Sequence, residues 1–231
     1  DRMAELLTPG TVDASTRLVL VNALYLLAAW ESPFLPENTS LGTFTLTSGE
    51  TTSVPLMRQT AVIPYTCTDT AQVVDLAYEG GDLALLIALP REGITLSEVE
   101  SVLTPEVIAA WVEALESTHV TIHLPPFRLR TAMSLRDPLQ AMGMPLAFSD
   151  QADFSGLAGR TDLTIDDVIH EAFIDVDEAG TEAAAATAVV IRVTSLPLEP
   201  VSFRADRPFL FLLRERHTGT ILFMGRVEDP S

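Results

Sequence analysis

His119, His123, His170 and His217 are the four histidines of the chain, and their surroundings decide what chemistry each can do. His119 and His123 stand four apart, the spacing that puts two metal ligands on one face of a helix. The residues between them, Val120, Thr121 and Ile122, favour a strand, and no carboxylate is interleaved. No metal site is therefore expected. Ser155, His170 and Asp166 supply the residue types of a hydrolytic triad, but no nucleophile-elbow pattern surrounds Ser155. Asp166 and Asp167 could divide acid and base roles. Adjacent residues on a strand point to opposite faces, however, which reads as a solvated edge. There is no glycine-rich phosphate loop. The chain is not expected to be an enzyme or to carry a cofactor, and a hydrolase with a scattered triad is kept as an alternative.

A different stretch carries more information. Residues 178–195 read E-A-G-T-E-A-A-A-A-T-A-V-V-I-R-V-T-S. Alanine is the best helix former, so one reading is a plain surface helix. That helix would have no large apolar residue to bury before Val189. Its second half, residues 187–193, is rich in β-branched residues, which favour strands. Read as a strand, Thr181, Ala183, Ala185, Thr187, Val189, Ile191 and Val193 share one uncharged face. Glu182 and Arg192 fall on the other. Such a segment can slide between two strands late, covering a core with one face and meeting water with the other.

The run Gly180-Thr181-Glu182-Ala183-Ala184-Ala185-Ala186-Thr187, preceded by Glu178, resembles the hinge of the reactive loop of an inhibitory serpin. Phe203-Arg204-Ala205-Asp206-Arg207-Pro208-Phe209-Leu210-Phe211 resembles the C-terminal signature of that family, and Phe223-Met224-Gly225-Arg226-Val227 its closing strand. Upstream, Leu20-Val21-Asn22-Ala23-Leu24-Tyr25 and Trp30 resemble a strand of its main sheet and the turn after it. The patches lie in the family's order and span essentially the whole chain, and a prokaryotic member of the family is expected. The resemblance implies an α+β serpin fold: a large mixed sheet able to accept the reactive loop as an extra strand, with smaller sheets and helices. It implies one domain over residues 1–231, with the loop at about 178–200. It also implies that the family's N-terminal helices and two strands precede Asp1, so the chain is expected to be the C-terminal part of a longer fold.

The function implied is suicide inhibition of a serine protease. The protease attacks the Thr194 carbonyl at the Thr194-Ser195 bond and becomes acylated. The arm over residues 180–194 then inserts between strands expected at 17–27 and 163–176. It carries the acylated end roughly 45 Å at ~3.3 Å per residue. The resemblance further implies that Asn22 and His170 lie on neighbouring strands where the sheet opens, bonded across the gap, with Trp30 at the top where insertion begins. The family often pairs the acidic hinge residue, here Glu178, with a base; the matching position is Pro126, and Arg128 is the candidate substitute. A threonine bait suits elastase-, subtilisin- or chymotrypsin-like proteases, whereas a trypsin-like enzyme would prefer Arg192. A serpin without inhibitory activity, acting as a carrier or chaperone, is the alternative within the family.

Composition agrees with this. The formal charge of −18 over 231 residues argues against nucleic acid and anionic membranes as partners. All 14 basic residues are arginine, a bias that suggests a GC-rich bacterial source. Cys67 is the single cysteine, which excludes an intrachain disulfide and leaves the compartment open. An extracellular monomer is expected by family analogy. Asp1-Arg2-Met3-Ala4-Glu5 is neither a signal peptide nor an initiator methionine.

The expected elements follow in order: a helix end over 1–14; strands over 17–27, 43–46, 52–57, 62–66, 71–78 and 83–89; and a helical stretch over 96–117 with caps at Thr95 and Thr104. Next come strands over 119–124 and 127–130, a short helix over 134–142, loop over 150–159, a long strand over 163–176, and closing strands over 201–203, 209–216 and 220–226.

Overall fold

The computed structural model of the chain describes residues 16, 18–160, 163–181 and 199–231. The expected helix end at 1–14 lies outside them. In chain order the structure has β1 (Val19–Tyr25), β2 (Ala28–Ala29), β3 (Ser40–Thr45), β4 (Thr51–Cys67), β5 (Ala71–Ala77) and β6 (Leu83–Pro90). These are followed by α1 (Leu96–Ser101), α2 (Pro105–Glu113), β7 (Glu116–Leu124), β8 (Phe127–Ser134), α3 (Arg136–Ala141) and α4 (Ser155–Ala158). Then come β9 (Asp167–Val176), β10 (Gly180–Thr181), β11 (Val201–Arg204), β12 (Phe209–Glu215) and β13 (Ile221–Val227). The chain divides into two compact units, residues 1–26 with 129–174, and 27–128 with 175–231.

The second unit is built on a sheet in the order β11-β7-β4-β5-β6-β12-β13, with β3 added on β4. β6 is apolar along its whole length and β12 from Phe209 to Leu213, because both of their faces are covered; Leu85, Leu86, Ile87, Leu212 and Leu213 are fully buried. The expected strands at 52–57 and 62–66 are one strand of 17 residues. Its polar middle stays extended because β7 pairs with it without a break from Met57 to Tyr65. One end forms the β3 hairpin around Gly49, whose φ of +85° suits glycine. The helical stretch at 96–117 divides in two, and both caps open a helix. Thr95 forms a capping box with Glu98, and the Thr104 hydroxyl accepts the Val107 amide at 3.3 Å. Leu96, Val99 and Trp111 seal one face of the sheet against Val73, Leu86 and Leu212. Ser117 belongs to β7 rather than to a helix.

In the first unit β1 runs parallel to β9, with Val19 opposite Asp167 and Tyr25 opposite Phe173, and β8 pairs with β9. Phe148, Ile165 and Val168 form a small core with Leu18, Leu135, Leu139 and Phe154. The expected loop at 150–159 contains α4, a helical turn closed by Gly159 at φ +68°. Buried Glu171 is ion-paired with Arg130. Asp166 and Asp167 act on the backbone and its neighbours: Asp166 accepts the Leu18 amide at 3.1 Å, and Asp167 accepts the Ser134 hydroxyl and the Val168 amide.

One ion pair in the second unit is almost wholly buried. The Arg214 guanidinium reaches across β6 to grip both oxygens of Asp75, at 3.1 and 2.7 Å. Asp75→Ala leaves that cation buried and alone and should cost about 3–5 kcal/mol in denaturant unfolding of the full-length protein. The joint change Asp75→Leu with Arg214→Met should cost far less, because no charge then remains inside.

His123 supplies a pH signature. It sits in β7 opposite Arg58 of β4 and Arg204 of β11, and its buried Nδ1 has no hydrogen-bond partner among the described residues. Burial, then Arg204 and Arg58, hold the imidazole below its ordinary pKa, with Asp206 opposing. The unfolded chain therefore takes up this proton first, so stability falls as pH drops below about 6.5 and is unaffected above it. Unfolding free energies measured between about pH 7.5 and about pH 5 should show that slope, and His123→Gln should flatten it.

Candidate functional site

The site is the turn that follows β9, built from residues of the second unit. β9 ends at Val176, and Asp177 folds the chain back as an Asx turn. Its carboxylate accepts the Ala179 amide at 2.8 Å and the Gly180 amide at 3.2 Å, while its own amide donates to the Gly180 carbonyl at 2.9 Å. β10 then pairs antiparallel with both neighbours, Gly180 and Thr181 opposite Ala29 and Ala28, and Thr181 opposite Val176. Only glycine fits at position 180. Its φ is +148°, and a Cβ there would lie 2.3 Å from the Ala28 carbonyl oxygen.

Trp30 fastens the turn from the β2 side. Its indole nitrogen donates to the Asp177 carbonyl and its amide to the Ala179 carbonyl, both at 2.9 Å. The indole lies flat on Tyr78, with ring centroids 4.4 Å apart and 13° between planes, and meets Phe34 edge-on. The hydroxyls of Tyr78 and Thr181 share a hydrogen bond of 2.7 Å inside this shell. Tyr78 is 1% exposed and Thr181 wholly buried. Burial pushes the Tyr78 hydroxyl upward in pKa, against a smaller lowering by Thr181, so it is protonated at neutral pH.

Glu178 is held by neutral groups. Its carbonyl accepts the Phe34 amide at 2.9 Å and its carboxylate the Thr39 hydroxyl at 2.8 Å. Arg128, the expected substitute base, is committed to Asp175 at 2.9 and 2.6 Å; that bond raises its pKa above the ordinary arginine value. Thr39 is thus the group that takes the place assigned to a base.

Asn22 and His170 are register partners across β1 and β9 in the first unit. Glu178, Gly180, Thr181 and Trp30 come together as described. Glu182, Ala183, Ala184, Ala185, Ala186, Thr187 and the Thr194-Ser195 bond lie outside the described residues. His119 and His123 stand on one strand, opposite Val62 and Arg58. No group of three or more His, Cys, Asp or Glu that could hold a metal occurs among the described residues. The Ser155 amide is bound to Asp153, and the carboxylate of Asp166 to the backbone of Leu18. Tyr78, Phe34 and Thr39 were not legible as site residues. The one available signal is an aromatic closing the apolar run of β5 just before the turn at Glu79-Gly80-Gly81.

What this arrangement offers is a docking place for a strand: one small, glycine-led residue pair already bonded on both sides. A model of the family "Serpin (serine protease inhibitor)" matches residues 1–230. Antithrombin-III of Ovis aries is 40% identical over 233 residues, covering 99% of this chain and 50% of that protein. The leukocyte elastase inhibitor of Bos taurus is 39% identical over 237 residues, covering 99% of this chain and 63% of that protein. The crystal structure of a serpin of the insect Tenebrio molitor superposes with a TM-score of 0.84 at 32% identity, covering 98% of this chain and 60% of that one. The chain thus spans between half and two thirds of the length of these relatives. With mixed sheets, few helices and this likeness over almost all its residues, it has the serpin fold and belongs to the serpin family.

Proposed function

We propose that the full-length protein is a suicide inhibitor of a serine protease and that the Thr194-Ser195 bond is its bait. The observation that carries this reading is β10: the first two residues of the arm are paired as a strand on both sides, and Thr181 is buried there. In the proposed sequence the protease serine oxygen bonds to the Thr194 carbonyl carbon. The Thr194–Ser195 C–N bond breaks, and the Ser195 amine leaves with the proton delivered by the protease histidine. The freed arm lengthens β10 one residue at a time and replaces the pairing of β1 with β9, Asn22 and His170 among it. New ladder bonds at roughly 1 kcal/mol net each, with burial of Val189 and Ile191, supply on the order of 10 kcal/mol. The protease is displaced before water can release it.

The name of the bovine elastase inhibitor supports a protease partner, and a small bait residue supports an elastase-, subtilisin- or chymotrypsin-like one. The charge of −18 supports neither nucleic acid nor an anionic membrane as partner. The lysine-free composition supports a bacterial source, and family analogy supports a secreted monomer.

Mixing the full-length protein with elastase, chymotrypsin, subtilisin and trypsin should give a denaturant-stable adduct and a released peptide whose mass begins at Ser195. Cleavage without an adduct would mean a serpin that does not inhibit, and no cleavage within 178–200 would end the proposal. The face that must enter the sheet admits only small side chains. Ala183→Arg should therefore leave cleavage intact and reduce the adduct yield at least about tenfold, since a buried unpaired charge costs several kcal/mol. An unchanged adduct yield would contradict insertion.

A further inference from the structure

A buried tyrosine hydroxyl needs a partner, and the choice of partner couples distant parts of a chain. Tyr78 directly follows β5, its own amide and carbonyl already paired with Leu83 and Gly81, and its hydroxyl bonds to Thr181, 103 positions away. Thr181 is the first inward-facing residue of the arm; the next two on that face, Ala183 and Ala185, have no hydroxyl. The ring of Tyr78 is pinned by Trp30, which also holds the carbonyls of Asp177 and Ala179. The hydroxyl is thus aimed from a fixed platform at the one threonine side chain that the strand pairing of β10 brings within reach.

We propose that Tyr78 is a positioning residue for loop insertion: its hydroxyl keeps Thr181 docked between β2 and the end of β9 before any bond is cut. Insertion then lengthens a strand already begun, and the unfavourable first step of ordering its end is made in advance. Withdrawal of Thr181 would leave the Tyr78 hydroxyl buried and unpaired, which is costlier than the loss of one exposed hydrogen bond. The docking itself needs no protease, whereas its consequence for trapping rests on the inhibitory reading.

The test uses the full-length protein in two measurements. In the uncleaved protein, hydrogen exchange at the amides of Gly180 and Thr181 is compared between wild type, Tyr78→Phe, Thr181→Val and the double variant. Each single variant leaves one hydroxyl buried and alone, and exchange should rise about fivefold or more, the weight of one lost hydrogen bond. The double variant removes both hydroxyls at nearly constant shape and should return toward wild type. Unchanged exchange in Tyr78→Phe, or a rise spread equally along β5, would overturn the proposal. The second measurement is the ratio of trapped to merely cleaved molecules with the reactive protease. It should fall severalfold in each single variant and recover in the double. If wild type is cleaved but never traps, the inhibitory reading fails, and exchange still decides whether Tyr78 holds the hinge.

Discussion

A strand buried in a sheet must have its backbone N–H and C=O groups paired, and the site depends on how that requirement is met at the end of β9. β1 and β9 satisfy each other directly over seven positions, from Val19 opposite Asp167 to Tyr25 opposite Phe173. Past β9 the partner is the chain's own continuation, which turns at Asp177 and pairs back on Val176. An arm that continued along β9 would exchange one parallel ladder for two antiparallel ones. In the proposed insertion that surplus of bonds would give the process a direction, and the antiparallel geometry is the slightly more favourable one per residue. Because the gain would accrue only as the strand lengthened, its first residues would decide whether the process starts.

That requirement explains the composition of the hinge. Under the proposed function, a segment that must enter a sheet as a buried strand cannot carry large side chains on its inner face. Glycine at 180 is imposed by backbone, since the Ala28 carbonyl lies where a Cβ would be. Thr181 is the one inner residue described here, and it is tolerated because Tyr78 pairs with its hydroxyl. The alanines that follow in the sequence have helix propensity, which burial between strands would override in the proposed insertion.

The fold was legible from the sequence where local pattern dictates structure. Alternation marked β7, the strands expected over 43–46, 71–78, 83–89, 209–216 and 220–226 match β3, β5, β6, β12 and β13, and Thr95 and Thr104 marked two helix starts. Pattern failed where a distant partner decides. The middle of β4, Arg58 to Ala61, has no strand signal of its own and is extended because β7 runs beside it. The same holds at the site. Gly180, Thr181 and Trp30 could be named from their motifs, but Thr39 holds Glu178 across 139 positions and Tyr78 holds Thr181 across 103, contacts that leave no trace in local spacing.

The arginines show how this chain distributes charge around that hinge. With no lysine present, cations enter as planar forks that suit fixed carboxylates, and they do so at Asp75, Glu171 and Asp175. Glu171 and Asp75 are almost wholly buried, so those pairs cannot be undone without stranding a charge. Had Glu178 been held in the same way, the turn would be locked by an interaction as costly to break as the ones that hold the core. Arg128 instead takes Asp175, within β9 itself, and leaves Glu178 to the hydroxyl of Thr39. The turn is therefore closed by hydrogen bonds of neutral donors, from Thr39, Trp30, Tyr78 and the backbone, worth about 1 kcal/mol net between neutral groups and about 1.5–3 kcal/mol where the acceptor is the carboxylate of Glu178 or Asp177. Acting together, bonds of that size hold the turn in place.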